Sequence, residues 1–267
     1  MIRLKISTIQ LCALLLGMFL SPETLNAQHQ ELYQKKHFVS NGDTLNYRIM
    51  LPKDFDESKS YPLVLFLHGA GERGSDNEKQ LVHGSSLFAS EKIRDKYPSI
   101  VVFPQCPADD FWAVATVDRS AKPVIREFPI DVEPNTSLAL VMALMDEMLA
   151  RDDVDKSQVY VGGLSMGGMG TFEILSRKPD LFAAAFPICG GGNPKAAERY
   201  ATKTPLWVFH GAKDDVVNPQ LSIDMVTAIL NAGGYPHFTL YGNDNHNSWD
   251  STFAEPGLLE WLFSNKK

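Results

Sequence analysis

The sequence predicts an α/β protein in which a mostly parallel, eight-stranded sheet is covered by helices, and three features predict it. The run PLVLFLHG, residues 62–69, is continuously apolar without alternation, as a strand covered by helices on both faces must be. The stretch QVYVGGLSMGGMGTFEILSRKP, residues 158–179, passes at Ser165 from the strand formers Val159, Tyr160 and Val161 to helical spacing. Finally, 267 residues with 44% hydrophobic content suffice for one sizeable core, and no linker-like segment divides the chain.

The opening residues, MIRLKISTIQLCALLLGMFLSPETLNAQ, place Arg3 and Lys5 before an apolar run from Ile9 to Leu20 and end in LNA before Gln28. That is the pattern of a secretory signal peptide, residues 1–27, cut after Ala27. The run is short for a membrane span, so no span is expected in the mature form; a retained signal anchor is the alternative. Cys12 lies inside the run rather than at its end, which argues against lipid attachment there. Cleavage removes Arg3, Lys5 and Glu23 and takes the formal net charge from −7 to −8. Such acidity argues against nucleic acid or an anionic membrane as partner. Cys106 and Cys189 remain, expected as buried free thiols because the strands they end are separated by two others. The absence of C-x-x-C, H-E-x-x-H and repeats gives no indication of a zinc site or a solenoid.

Taken in order, a strand around His37, Phe38 and Val39 turns at Asn41 to Asp43 into TLNYRIMLP, where Leu45, Tyr47, Ile49 and Leu51 share one side. These two form an antiparallel hairpin at the sheet edge. The buried run from Pro62 leads into HGAGERGSDN, a glycine-rich loop, and the next strand is SIVVFPQCP, residues 99–107. An irregular stretch, residues 108–135, then carries Phe111, Trp112, Arg119, Arg126 and Phe128; loops this long in compact domains are usually functional. A helix over residues 136–151 follows, with Leu138, Met142, Met145 and Leu149 on its apolar face. Beyond residue 179 come strands over residues 181–189, 205–211 and 237–241, and a closing helix over 252–264 carrying Leu258, Leu259, Leu262 and Phe263. Only about fifteen residues join the first two of these, too few for a helical cap, so the site is expected to be open to a bulky or polymeric substrate.

The chemistry concentrates at strand ends. In GLSMG, Gly163 and Gly167 flank Ser165 at a strand-to-helix corner that exposes its hydroxyl, and the following helix directs unpaired N–H groups towards it. An acid and then a histidine should follow, each just past a later strand. Asp214, four residues after His210 in HGAKDDVV, is the candidate acid, with Asp215 as its rival and a plain turn-and-cap role as the structural alternative. His246, in the polar loop GNDNHNSWD past the last strand, is the candidate base. His68 and His237 read as structural, and His83 lies upstream of the serine. In the HGAG turn, Ala70 would present an oxyanion-binding amide, Gly71 being the next candidate, with Met166 supplying the other.

HGAGERG, GLSMGG, HGAKDDVV and NHNSWD, in this order, resemble single-domain α/β-hydrolase esterases of the feruloyl and acetyl-xylan carbohydrate-esterase and polyhydroxybutyrate-depolymerase-like group. The resemblance implies an α/β-hydrolase fold over residues 28–267 without a large cap, with Ser165, Asp214 and His246 as triad and Ala70 and Met166 as oxyanion hole. It also implies Gln105, Trp112 and Trp249 as pocket residues. The expected function is that of a secreted serine esterase needing no metal or organic cofactor, acting on a small-molecule or polysaccharide-linked ester, with acetyl or feruloyl groups on plant polysaccharide favoured. Prolyl-oligopeptidase relatives share the motifs, which leaves a small-peptide hydrolase as alternative, with Glu72, Arg73 or Arg126 available to anchor a peptide terminus. A catalytically silent binding module is the alternative from another class.

Overall fold

The computed structural model describes residues 29–118, 120–121 and 124–267; the expected signal sequence with Cys12, and Arg119, lie outside the described residues. The main sheet takes β1 (Gln34–Ser40), β2 (Asp43–Met50), β3 (Tyr61–Leu67) and β4 (Ile100–Gln105) from the first half of the chain. A small ribbon, β5 (Thr116–Asp118) with β6 (Ile125–Glu127), stands apart from it. The second half adds β7 (Val154–Leu164), β8 (Ala184–Ile188), β9 (Trp207–Gly211) and β10 (His237–Tyr241). Their spatial order is β1-β2-β4-β3-β7-β8-β9-β10, in which β1 pairs β2 and β2 pairs β4 antiparallel while every other neighbour is parallel. The eight-stranded, mostly parallel sheet with an edge hairpin is therefore as the sequence predicted.

Strand β3 shows why its sequence does not alternate. Leu63, Leu65 and Leu67 enter one core, and Val64 and Phe66 enter the other, so both faces are dry. The first core is shared with helices α3 (Thr136–Leu149), α4 (Met166–Arg177) and α5 (Gln220–Asn231). The second meets α1 (Ser85–Ala89), α2 (Glu91–Lys96), α6 (Trp249–Phe253) and α7 (Leu258–Ser264). Among the described residues no helix is long and apolar enough to cross a membrane. Cys106 and Cys189 are free and buried, just past the ends of strands β4 and β8, which β3 and β7 keep apart.

Four local expectations change. The closing helix is two helices, because Pro256 lacks an amide hydrogen and Gly257 disfavours continuation; α6 ends at Phe253 and α7 starts at Leu258. The long stretch after β4 contains the β5–β6 ribbon. The buried face of α3 runs through Leu138, Val141, Leu144, Met145 and Met148, with Met142 and Leu149 only partly buried at its margin. Arg48, which alternation assigns to the wet face of β2, is buried, and its guanidinium donates to the carbonyls of Tyr33, Asn77 and Gln30 at 2.8, 3.0 and 2.8 Å. It ties the amino-terminal segment to the loop after β3.

Candidate active site

At the β7–α4 corner Ser165 adopts φ 54°, ψ −114°, a backbone conformation unfavourable for a residue with a Cβ. Its amide donates to the Ile188 carbonyl on β8 at 2.9 Å, which holds the corner in place. The flanking glycines are required by contact: a Cβ on Gly167 would stand 1.9 Å from the Leu67 carbonyl oxygen, and one on Gly163 would stand 2.4 Å from the Gly167 oxygen. Strand β3 and helix α4 can therefore approach only with hydrogen at these positions.

The acid and imidazole arrive on the loops after β9 and β10. Gly211 lets those loops touch, since a Cβ there would lie 2.3 Å from the Asn245 carbonyl oxygen. The Asn245 side chain then accepts from the amides of His246 and Asp215, at 2.7 and 3.1 Å, and fixes one loop against the other. His246 Nδ1 lies 2.8 Å from Asp214 Oδ2, and its Nε2 lies 3.0 Å from Ser165 Oγ. Asp214 Oδ1 accepts from the Val216 and Val217 amides at 2.9 and 2.8 Å. Burial works against the charge on this carboxyl. Hydrogen bonds from His210 and His246 and from the Val217 amide, with the His246 charge, outweigh it and hold the group well below the usual carboxylate range. With the carboxylate accepting from Nδ1–H, Nε2 is the ring nitrogen that faces Ser165 Oγ and is placed to take the serine proton. Asp215, the rival acid, is exposed and makes no contact with the imidazole side chain.

Ser165, Ala70 and Met166 line one cavity of about 320 Å³ with Phe111, Ala113, Val114, Ala115, Val117, Arg126, Asn135, Met169, Val216 and Val217. Met166 is the first residue of α4, and Ala70 the first of the 3-10 turn Ala70–Glu72, so neither amide has an acceptor within its own turn. Gly71 does not line the cavity. Loop 108–135 supplies much of the apolar wall, as a substrate-contacting loop would.

Two expected pocket residues are elsewhere. Trp112 is fully buried: its indole donates to the His68 carbonyl at 3.0 Å and its side chain packs against Gly170, so it holds the loop after β3 to helix α4. Gln105 is 2% exposed. It donates to Asp76 Oδ1 at 2.8 Å and accepts from the Asn77 amide at 2.7 Å, which makes it a brace of the same loop. Trp249 is half-buried and stands edge-on to His246, ring centroids 5.4 Å apart. His68 is structural as expected, since its Nε2 accepts from the Cys106 amide and its Nδ1 donates to the Gly69 carbonyl, at 3.0 and 2.6 Å.

Sequence reasoning missed His210 beneath the acid, where it is fully buried with Nε2 3.2 Å from Asp214 Oδ2 and Nδ1 2.7 Å from Ser222 Oγ. The i, i+4 spacing of His210 and Asp214 was its only signal. Among the described residues one group of potential metal ligands gathers, Cys189, Asp214 and His246, with ligand atoms within 4.8 Å. Burial pushes the Cys189 thiol up, and the other two members of the group already bond each other within the Asp214–His246–Ser165 line. A second cavity of about 290 Å³ holds Arg177 and Arg199, each already paired, with Glu173 and Asp131.

Residues 55–255 match the family model described as phospholipase/carboxylesterase. The chain is 33% identical over 160 residues to the bifunctional acetylxylan esterase/xylanase XynS20E of Neocallimastix patriciarum, covering 60% of this chain and 20% of that protein. It is 29% identical to poly(3-hydroxyalkanoate) depolymerase C of Paucimonas lemoignei, over 90% of this chain and 65% of that protein. A solved thermostable esterase superposes with a TM-score of 0.80 at 34% identity, over 90% of this chain and 64% of that one. The chain thus spans less than two thirds of the length of each. A ferulic acid esterase of Anaeromyces mucronatus, solved with ferulic acid, shares the fold at 16% identity and a TM-score of 0.62, over 87% of this chain and 90% of that one.

Proposed function

The chain belongs to the phospholipase/carboxylesterase family, and from that premise we propose that it is an exported serine carboxylester hydrolase, releasing acetyl or feruloyl groups from plant polysaccharide through an acyl-enzyme. The observation that carries the reading is the unbroken hydrogen-bonded line Asp214–His246–Ser165, ending at the wall of an apolar cavity. His246 Nε2 takes the proton of Ser165 as Oγ bonds to the ester carbonyl carbon, and Asp214 stabilises the imidazolium. The oxyanion is held by the amides of Ala70 and Met166; loss of one such donor typically costs about 2.7–4 kcal/mol of transition-state stabilisation. The alcohol departs with the proton from His246, and the same imidazole then activates a water that releases the acid.

A volume of about 320 Å³ is more than an acetyl group fills and suits an aromatic acyl group, which the apolar wall also favours. Residues 1–27 act as the export signal and residues 28–267 as the catalytic domain, a reading supported by the charged start, apolar run and LNA ending. Among the described residues the cavity lining has no carboxylate for a free amino terminus, and its one cation, Arg126, would suit only a peptide carboxylate; the apolar remainder of the wall favours the ester reading. The test is acid-product analysis on acetylated and feruloylated arabinoxylan, with p-nitrophenyl acetate as a general ester. Wild type is expected to release acid from both kinds of substrate and Ser165→Ala from neither; unchanged turnover in Ser165→Ala overturns the assignment.

A further inference from the structure

The cavity accounts for the acyl half of an ester but not for the alcohol half. That half must lie beside His246, because the leaving oxygen collects its proton from Nε2. None of the residues on that flank belongs to the cavity wall. Trp249 stands edge-on to His246, and the His83 ring follows at 5.2 Å from the Trp249 ring. Glu72 comes next, with Oε1 3.8 Å from His83 Nε2, and its other oxygen lies over Gly69, where a Cβ would come within 2.9 Å of it. The row therefore runs from the proton donor to the turn that carries the Ala70 amide.

The side chain of Glu72 is only 13% exposed, and among the described residues neither of its oxygens accepts a hydrogen bond of normal length. A carboxylate so placed has acceptor capacity to offer whatever occupies the flank, and the His83 side chain, 34% exposed, has a ring nitrogen turned to the same place. Trp249 adds a half-open aromatic surface. An aromatic ring beside a carboxylate and an imidazole matches a pyranose, which has an apolar C–H face and adjacent hydroxyls that donate to a carboxylate. A lipid-like alcohol would leave Glu72 desolvated without a donor, at a cost.

We propose that Glu72, His83 and Trp249 form the subsite for the alcohol moiety and that the alcohol is a glycosyl unit; this rests on the esterase reading above. Its test compares two acetyl esters that differ only in the alcohol, acetylated xylotriose and p-nitrophenyl acetate, in wild type, Glu72→Gln and His83→Ala. Glu72→Gln keeps the shape of the side chain, and fluorophosphonate labelling of Ser165 verifies that each variant is folded. The ratio of kcat/KM for the xylotriose ester to that for the nitrophenyl ester should fall about tenfold or more in both variants, as loss of a charge-assisted hydrogen bond predicts. Unesterified xylotriose should also inhibit nitrophenyl acetate hydrolysis by wild type. A ratio unchanged in both variants, or no inhibition by xylotriose, overturns the subsite and leaves the esterase standing. Wild type that cleaves the nitrophenyl ester but no sugar ester overturns the subsite and the polysaccharide substrate together, and wild type that cleaves neither overturns the esterase reading itself.

Discussion

Asp214→Asn isolates what the carboxylate contributes, because the substitution preserves shape and the structure dictates how the amide must sit. Oδ1 accepts from two backbone amides, Val216 and Val217, while Oδ2 faces His246 Nδ1 at 2.8 Å and His210 Nε2 at 3.2 Å. Turning the new NH₂ towards Val216 and Val217 would oppose two fixed N–H donors. Turning it towards the imidazoles opposes only His210 and leaves His246 free to change tautomer. The second orientation is favoured, and in it His246 accepts at Nδ1 and carries its proton on Nε2. The nitrogen 3.0 Å from Ser165 Oγ then holds a hydrogen and has no lone pair for the serine proton. An error of this kind costs about ten-thousand-fold in kcat, or about 5.5 kcal/mol of transition-state stabilisation. The assay is kcat and kcat/KM on p-nitrophenyl acetate, with circular dichroism to verify the fold. A loss below about tenfold would refute the claim that Asp214 sets the tautomer.

Gly167→Ala should destabilise by at least about 1–3 kcal/mol, since its Cβ meets backbone that cannot swing aside. Urea midpoints measure this against Gly242→Ala, where nothing lies within 4 Å. His68 has its pKa lowered from 6.5 to about 4, chiefly by burial and further by Arg73, against its bond to Gly69. Between those two values the unfolded chain binds the proton and the folded one does not, so stability is full above pH 6.5 and falls as pH drops towards about 4. The loss is about 3 kcal/mol; urea titrations across that range should show it, and a His68→Gln variant with the same slope as wild type would contradict it. His210→Gln removes an imidazole that braces Asp214 from below, and should lower kcat about ten- to a hundredfold with little change in KM. A rise in KM at constant kcat would place its role elsewhere.

Much of the site was legible because its parts are local. Ser165 sits between two glycines whose steric need is written in GLSMG, and Asp214 and His246 each follow a strand that the sequence marks as apolar. Strand β3 declared itself buried on two faces by the absence of alternation. What stayed hidden depends on partners distant in the chain. Trp112 looked like a pocket residue, but its indole finds the His68 carbonyl, 44 residues away, and turns inward. Gln105 likewise finds the loop from Glu72 to Asn77, and Arg48 finds three carbonyls that no pattern within β2 foretells. His210 lies at a strand end where periodicity carries no information about a histidine stacked under a carboxylate. The break at Pro256 and Gly257 is read over as one helix across residues 252–264, because the apolar positions of α7 are in phase with a single helix, although the proline marks where α7 must begin.

The central claim is that Ser165 becomes covalently acylated, and rapid quenching during turnover of p-nitrophenyl acetate tests it directly. Mass spectrometry should find one acetyl group per chain, on the peptide that contains Ser165, and none in Ser165→Ala. An acetyl group on another residue, or turnover by Ser165→Ala at the wild-type rate, would contradict the account.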